Sequence, residues 1–194
     1  MAVTVSKGER TRQRLLEAAI RRFAAEGFRR TSVSEIARDA GITPAAAYAY
    51  FENKEALFQA AVNVDAANLI ERARPPRDGA GSLTDRWLLV PGRLHELVAE
   101  HPLARRVLGA QEPEVLPQLM ELSALADVRE QLADELAAAQ QRGEVRSDVD
   151  PQVLALGLES IVLSLLMTGI HVQPDETRSM AALTVLDAAT RPSR

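Results

Sequence analysis

The residues in this sequence with a type and spacing suited to chemistry lie mostly at the starts of short helices. Thr43, Pro44, Ala45 and Ala46 open one predicted helix, and Thr31 and Ser32 stand where another begins. A helix N-terminus turns free amides outward and favours an anion, and a hydroxyl beside it adds a donor. The chemistry on offer is non-covalent recognition of phosphate. Covalent chemistry has no comparable support. The chain has no glycine-rich phosphate loop, no His-Glu-x-x-His and no Gly-x-Ser-x-Gly. It has no cysteine, which excludes disulfides, thiolate catalysis and cysteine-ligated zinc. His95, His101 and His171 have no acidic or cysteine partner at ligand spacing and read as surface or internally satisfied histidines. The pairs Asp134-Glu135 and Asp175-Glu176 read as solvated helix faces or caps. No catalytic residue, metal ligand or cofactor is expected.

These residues are placed by a run of well-marked helices. Ser6-Lys7-Gly8-Glu9 has the spacing of a capping box, followed by Leu16, Ala19, Ile20 and Phe23 on one helical face. Gly27 is suited to the left-handed stop, so the first helix is expected over about 7–26. Ser32-Val33-Ser34-Glu35 repeats the capping box and opens a short second helix with Val33, Ile36, Ala37 and Ala40 inward. Gly41 stops it. Thr43 is an N-cap and Pro44 occupies the first helical position, where its missing N–H costs nothing. That predicts a third helix over about 44–50 and a fourth, capped by Asn53, running to about 74. Two short helices about a glycine-containing turn form a helix-turn-helix at 32–51.

Charge supports the same division. The net charge is −4, yet residues 1–60 hold ten bases against seven acids, leaving +3 there and −7 in the rest. That asymmetry suits a basic module that meets an anion, carried by a larger one that does not. With 46% hydrophobic but only 4% aromatic residues, the chain has enough apolar material for a core, rich in alanine and leucine and therefore helical.

The run from Thr31 to Thr43, and that from Tyr48-Ala49-Tyr50-Phe51-Glu52-Asn53-Lys54 to Phe58, closely resembles the N-terminal domain of TetR-family regulators. Phe23-Ala24-Ala25-Glu26-Gly27-Phe28 fits at the matching distance, and the likeness covers about residues 8–60 without a gap. The resemblance implies double-stranded DNA as partner, with the third helix in the major groove. It implies that Tyr48 and Tyr50 contact phosphate and base, and that Lys54 binds phosphate. Ala45, Ala46, Ala47 and Ala49 leave the reading helix without side chains for bidentate base contacts. Specificity is then expected to lean on thymine methyls, the tyrosines and DNA shape.

The remainder reads as a helical body. A breaker-rich loop covers 74–82, a helix kinked or split at Pro91-Gly92 covers 83–100, and a short segment covers 102–109. A long helix starts near Pro113 and Pro117 and ends at about 142. Two terminal helices cover 151–169 and about 175–190. The expected architecture is all-α, about nine helices, with a three-helix DNA-binding domain at 1–52 and a dimerisation and effector-binding domain at 53–194. The helix at 151–169 is apolar nearly all round, so it must be covered on all sides. Leu156, Gly157, Ser160, Leu163, Ser164 and Met167, with Leu183 and Leu186 of the last helix, are expected to pair with a second copy. The resemblance further implies a homodimeric repressor on a near-palindromic operator. It also implies a small lipophilic effector in a pocket for which Trp87, Leu94, His95, Leu119, Met120 and Met167 are candidates. The hydrophobic stretch at 153–170 is interrupted by Glu159, Ser160, Ser164 and Thr168 and reads as a buried helix rather than a membrane span. With no basic-then-apolar pattern at the N-terminus, the cytoplasm is the expected compartment. A helical scaffold acting through protein partners, with weak or no DNA binding, is the alternative.

Overall fold

Three helices pack into a small head and a fourth leads from it into the body. The computed structural model describes residues 6–76, 82–113, 122–171 and 176–192, and they contain ten α-helices, one 3-10 turn and no strand. The head holds α1 (Lys7–Glu26), α2 (Val33–Asp39) and α3 (Pro44–Tyr48). The body holds α4 (Lys54–Ala73), α5 (Leu83–Trp87), α6 (Val90–Leu97) with a 3-10 turn (Val98–Glu100), and α7 (Pro102–Leu108). It is completed by α8 (Ser123–Gln141), α9 (Pro151–His171) and α10 (Glu176–Thr190).

The caps read in the sequence are formed. Ser6 with Glu9 and Ser32 with Glu35 make reciprocal capping boxes, Thr43 accepts from the Ala46 amide and Asn53 from the Ala56 amide. Of the kink or split expected over 83–100 the structure has the split, because Pro91 falls at the second position of α6, where a proline starts a helix instead of bending one. One difference from expectation has a simple cause. The third helix ends at Tyr48 because Ala49 and Tyr50 donate to Ala46 and Ala47, tightening the last turn. Residues 114–121, where a long helix was expected to begin, lie outside the described residues; α8 is described from Ser123.

The helix α4 belongs to both halves. At 1.5 Å per residue its 20 residues span about 30 Å. One continuous buried cluster runs from Leu15, Phe23 and Ile36 in the head, through Leu57, Phe58 and Leu69 of α4, to Leu103, Val107 and Leu166. At the head, Phe23, Phe28 and Phe58 form a ring cluster with centroids 4.9 to 6.2 Å apart, two of the three pairs edge-on. Such pairs add about 1 kcal/mol each beyond their buried area.

In the body, α4 is held by a buried carboxylate. Asp65 accepts from the Leu103 and Ala104 amides at the start of α7 (3.0 and 2.9 Å) and bonds Nδ1 of His101 at 3.0 Å. A guanidinium nitrogen of Arg72 lies 3.3 Å from His101 Nε2. Arginine can only donate, so Nε2 accepts and Nδ1 carries the proton to Asp65. His101 is thus an internally satisfied histidine. A second tie joins α7 to the head: Glu112 accepts from Arg106 Nε (2.6 Å) and from the Phe28 amide (3.2 Å). That carboxylate and guanidinium lie directly on Gly27. A Cβ there would sit 2.6 to 2.7 Å from them, and the φ of +82° already favours glycine.

Asp65→Ala removes the acceptor for two amides and one imidazole N–H in the interior. We expect it to destabilise the fold by about 3 kcal/mol or more, read as a lowered urea midpoint at unchanged slope.

Candidate nucleic-acid interface and interior cavity

The turn between α2 and α3 is fixed by backbone bonding. Gly41 donates to Arg38 and Ile42 to Ala37 (3.1 and 3.0 Å), with Gly41 at φ +70°. That is a Schellman stop, which needs a left-handed residue and so favours glycine. Ala47 is buried under α3, while Thr43, Pro44, Ala45, Tyr48 and Ala49 face outward. Tyr48 exposes 52% of its surface, which for an aromatic side chain on a short helix is a contact surface in waiting. Tyr50 is half-buried and packs on the head core.

The orientation of α2 on α1 rests on Arg22, a residue the sequence reading left without a role. Its Nε and Nη2 grip Asp39 at 2.6 and 3.2 Å, and its Nη1 lies 3.0 Å from Glu26 and 3.8 Å from Glu35. The hydrogen bond from Arg22 holds the Asp39 carboxyl below its usual range, and the Ser32 cap does the same for Glu35. Arg22 in turn is held more firmly protonated by Asp39. With those acids engaged, α1 offers Arg14, whose Nη1 lies 4.0 Å from where a Cβ of Gly41 would be, beside the turn. Arg12 lies over the Phe51 ring at 5.0 Å.

Three expected phosphate contacts are differently employed. Thr31 is buried, and its hydroxyl donates to the Gly27 carbonyl at 2.8 Å, closing the end of α1, so it does not face outward. Ser32 is exposed, but its hydroxyl is engaged with Glu35 in the cap. Lys54 directs its ammonium at the carbonyls of Phe28 and Thr31 (2.9 and 3.2 Å) and lies 4.3 Å over the Phe28 ring. It is first a tie between α4 and the head. A lysine has three N–H donors, which leaves one beyond these two bonds.

In the body, α4, α5, α6, α7, α8, α9 and α10 enclose a cavity of about 130 Å3 with almost entirely apolar walls. Of the candidate pocket residues, Trp87 and Leu94 line it. His95 does not: it is exposed, its ring against Gly169, where a Cβ would come within 2.9 Å of Nδ1. Met167 packs on the core beside the cavity, and Leu119 and Met120 lie outside the described residues. The polar wall residues are Arg74, Thr84, Arg129, Glu159 and Thr190. Glu159 is buried and meets Arg129 at 3.0 and 3.2 Å; burial raises its pKa against the opposing pull of that guanidinium.

The outer face of α9 is bare. Leu156, Gly157, Ser160 and Ser164 are exposed, joined by Val153 and, from α10, by Met180 and Val185, which the sequence reading did not select. Leu186 is buried and, like Leu163, lines the cavity, so both turn away from that face. Leu183 and Met167 are half-buried. By length and composition α9 is apolar enough to cross a membrane, with little of it buried inside one copy.

Comparison with known proteins gives a consistent match. Residues 15–61 match the model of the bacterial regulatory proteins, tetR family. The chain is 28% identical over 147 residues to the HTH-type transcriptional regulator UidR of Escherichia coli (strain K12), covering 75% of this chain and 74% of that one. Among solved structures, Salmonella enterica GusR superposes with a TM-score of 0.66 at 25% identity, covering 95% of this chain and 97% of its own. SmeT, the repressor of the Stenotrophomonas maltophilia multidrug efflux pump SmeDEF, superposes with a TM-score of 0.65 at 25% identity over 94% and 92%.

The titration of the head follows from the Arg22 network. Asp39 and Glu35 have folded pKa values below their ordinary 3.8 and 4.5, so their contribution to stability is present above those values. It is lost as pH falls through the lowered values. Hydrogen exchange of the α2 amides is expected to accelerate below about pH 4, and Asp39→Asn to show faster α2 exchange already at neutral pH. Equal exchange in the two proteins at neutral pH would remove Arg22–Asp39 as the strut.

Proposed function

We infer that this chain, which belongs to the TetR family of bacterial regulatory proteins, is a homodimeric repressor that reads a near-palindromic operator and is released by a small molecule in the body cavity. Its helix-turn-helix makes it a DNA-binding transcriptional regulator. Reading is assigned to residues 1–52, and dimerisation with effector binding to 53–194. The observation that carries the reading is the outward face of α3, with Thr43, Pro44, Ala45, Ala46 and the exposed Tyr48 beside Arg14 at the glycine turn. Arg14, the third N–H of Lys54 and the amides at the starts of α2 and α3, Ser32 among them, supply phosphate contacts that set register. Tyr48 and the alanines supply base contact, and Tyr50 steadies Tyr48 from the core side. A DNA partner for this module supports the cytoplasm as its compartment.

Pairing is assigned to the outer faces of α9 and α10. Val153, Leu156, Met180 and Val185 supply apolar area, and Gly157, Ser160 and Ser164 let two helices approach closely. An apolar face of this extent on a long helix is covered in water by a second copy. A two-fold pair then sets the two reading helices on successive major grooves.

The test is fluorescence anisotropy on a duplex recovered by selection from a random library. Binding with two protomers per duplex and a steep loss of affinity with salt is expected; a flat salt response would favour a protein-recruiting scaffold. Tyr48→Ala is expected to weaken binding about tenfold or more. Ala46→Ser with Ala49→Ser is expected to keep affinity and change the selected motif; an unchanged motif would move base reading off α3. Leu156→Asp is expected to give a monomer by light scattering and to weaken operator binding about a hundredfold, as two linked half-sites become one.

A further inference from the structure

Arg74 stands at the end of α4 with 15% of its side chain exposed, and its guanidinium reaches the cavity wall. Its Nε and Nη2 are fully buried and have no hydrogen-bond partner among the described residues. The nearest carboxylate, on exposed Glu71, is 3.8 Å away and faces the other nitrogen, Nη1. A buried guanidinium edge without an acceptor is costly, and interior cations are normally paired. Nε and Nη2 form one edge of the guanidinium, and this chain uses that edge repeatedly for carboxylates. Arg22 holds Asp39 with it at 2.6 and 3.2 Å, Arg142 holds Glu144 at 2.7 and 2.9 Å, and Arg146 holds Asp148 at 2.7 Å on both atoms. In Arg74, a residue of the cavity wall, that edge is buried and, among the described residues, has nothing on it.

The charges around the cavity point the same way. Arg129 is matched by buried Glu159, whereas Arg74 has only the exposed Glu71, 3.8 Å from Nη1, and is the less compensated of the two. The remaining polar wall groups, Thr84 and Thr190, bond one another at 3.1 Å. We propose that the cavity takes an organic monocarboxylate with a compact apolar body, its two oxygens on Nε and Nη2 of Arg74 and its body among Leu94, Val107, Leu122, Leu125 and Val162. This rests on the effector reading of the preceding section and names the chemical class of the ligand. A single carboxylate supplies the acceptors that the Nε–Nη2 edge lacks, whereas a phosphate dianion brings a second buried negative charge and a cation adds to the positive charge already present. The volume of about 130 Å3 sets the scale of the body, since a dry protein cavity of roughly 150 Å3 holds benzene.

The test uses octanoate, with 1-octanol, octylammonium and octyl phosphate as probes of equal chain length, in titration calorimetry on the full chain. Octanoate is expected to bind most tightly. Arg74→Met keeps the bulk and removes the charge; it is expected to weaken octanoate about tenfold or more while leaving 1-octanol unchanged or tighter. Arg74→Lys is expected to fall between, because an ammonium lacks the two-pronged edge. Because Arg74→Met removes a buried guanidinium edge without an acceptor, it is expected to melt no lower than the parent. Equal binding of octanoate and 1-octanol, tighter binding of octyl phosphate or octylammonium, or full octanoate affinity in Arg74→Met would each overturn the proposal. Operator affinity is read in the same samples. Arg74-dependent octanoate binding that leaves it unchanged upholds the ligand class and overturns release by this route.

Discussion

The ammonium of Lys54 sits on the carbonyls of Phe28 and Thr31, and the rest of the molecule depends on that seat. It fastens the start of a 20-residue helix to the loop between α1 and α2, and the Phe23, Phe28 and Phe58 rings close around the joint. A helix fastened at one end is a lever only if it is also held along its length. Asp65 holds it midway through the amides that open α7, and Arg74 stands at its far end, in the cavity wall. The head therefore does not hang from a flexible linker. A displacement of a few tenths of an ångström at Arg74 has a continuous packed route to α2 and α3 through one buried cluster.

A second route runs through α7. Glu112 bonds the Phe28 amide and Arg106 across Gly27, so the body touches the head on the side opposite α2. Ala110, just before it, holds φ at +51°, a left-handed conformation that costs a non-glycine residue about 1 kcal/mol or more. The segment that carries the latch is thus under mild backbone strain.

Much of this was legible in the sequence because the signals are local. Ser6, Ser32, Thr43 and Asn53 cap the helices they precede, and Gly41 and Gly27 stop those before them, since caps and stops depend on a few adjacent residues. What depends on distant neighbours was not legible. Thr31 has the hydroxyl of a phosphate ligand, yet it is spent on Gly27; Lys54 has the charge of one, yet two of its N–H groups go to carbonyls. Arg22, Asp65 and Glu112 look like solvated charges in the sequence, and only the packing of α1 against α2, and of α4 against α7, makes them struts. For the terminal helices, periodicity showed how much apolar surface must be covered without showing which side faced inward. Leu186 therefore lines the cavity and Met180 and Val185 stand outside.

The central claim is that the cavity and the reading heads are joined through α4, and inter-label distance measures that directly. The chain has no cysteine, so Ser34→Cys, on the exposed side of α2, carries one nitroxide per protomer and nothing else is labelled. Pulsed electron resonance is expected to give one narrow distance population with operator bound and a shifted or broadened one with octanoate bound. A distribution that is the same in the free, operator-bound and octanoate-bound protein, with both ligands shown to be bound, would contradict the account.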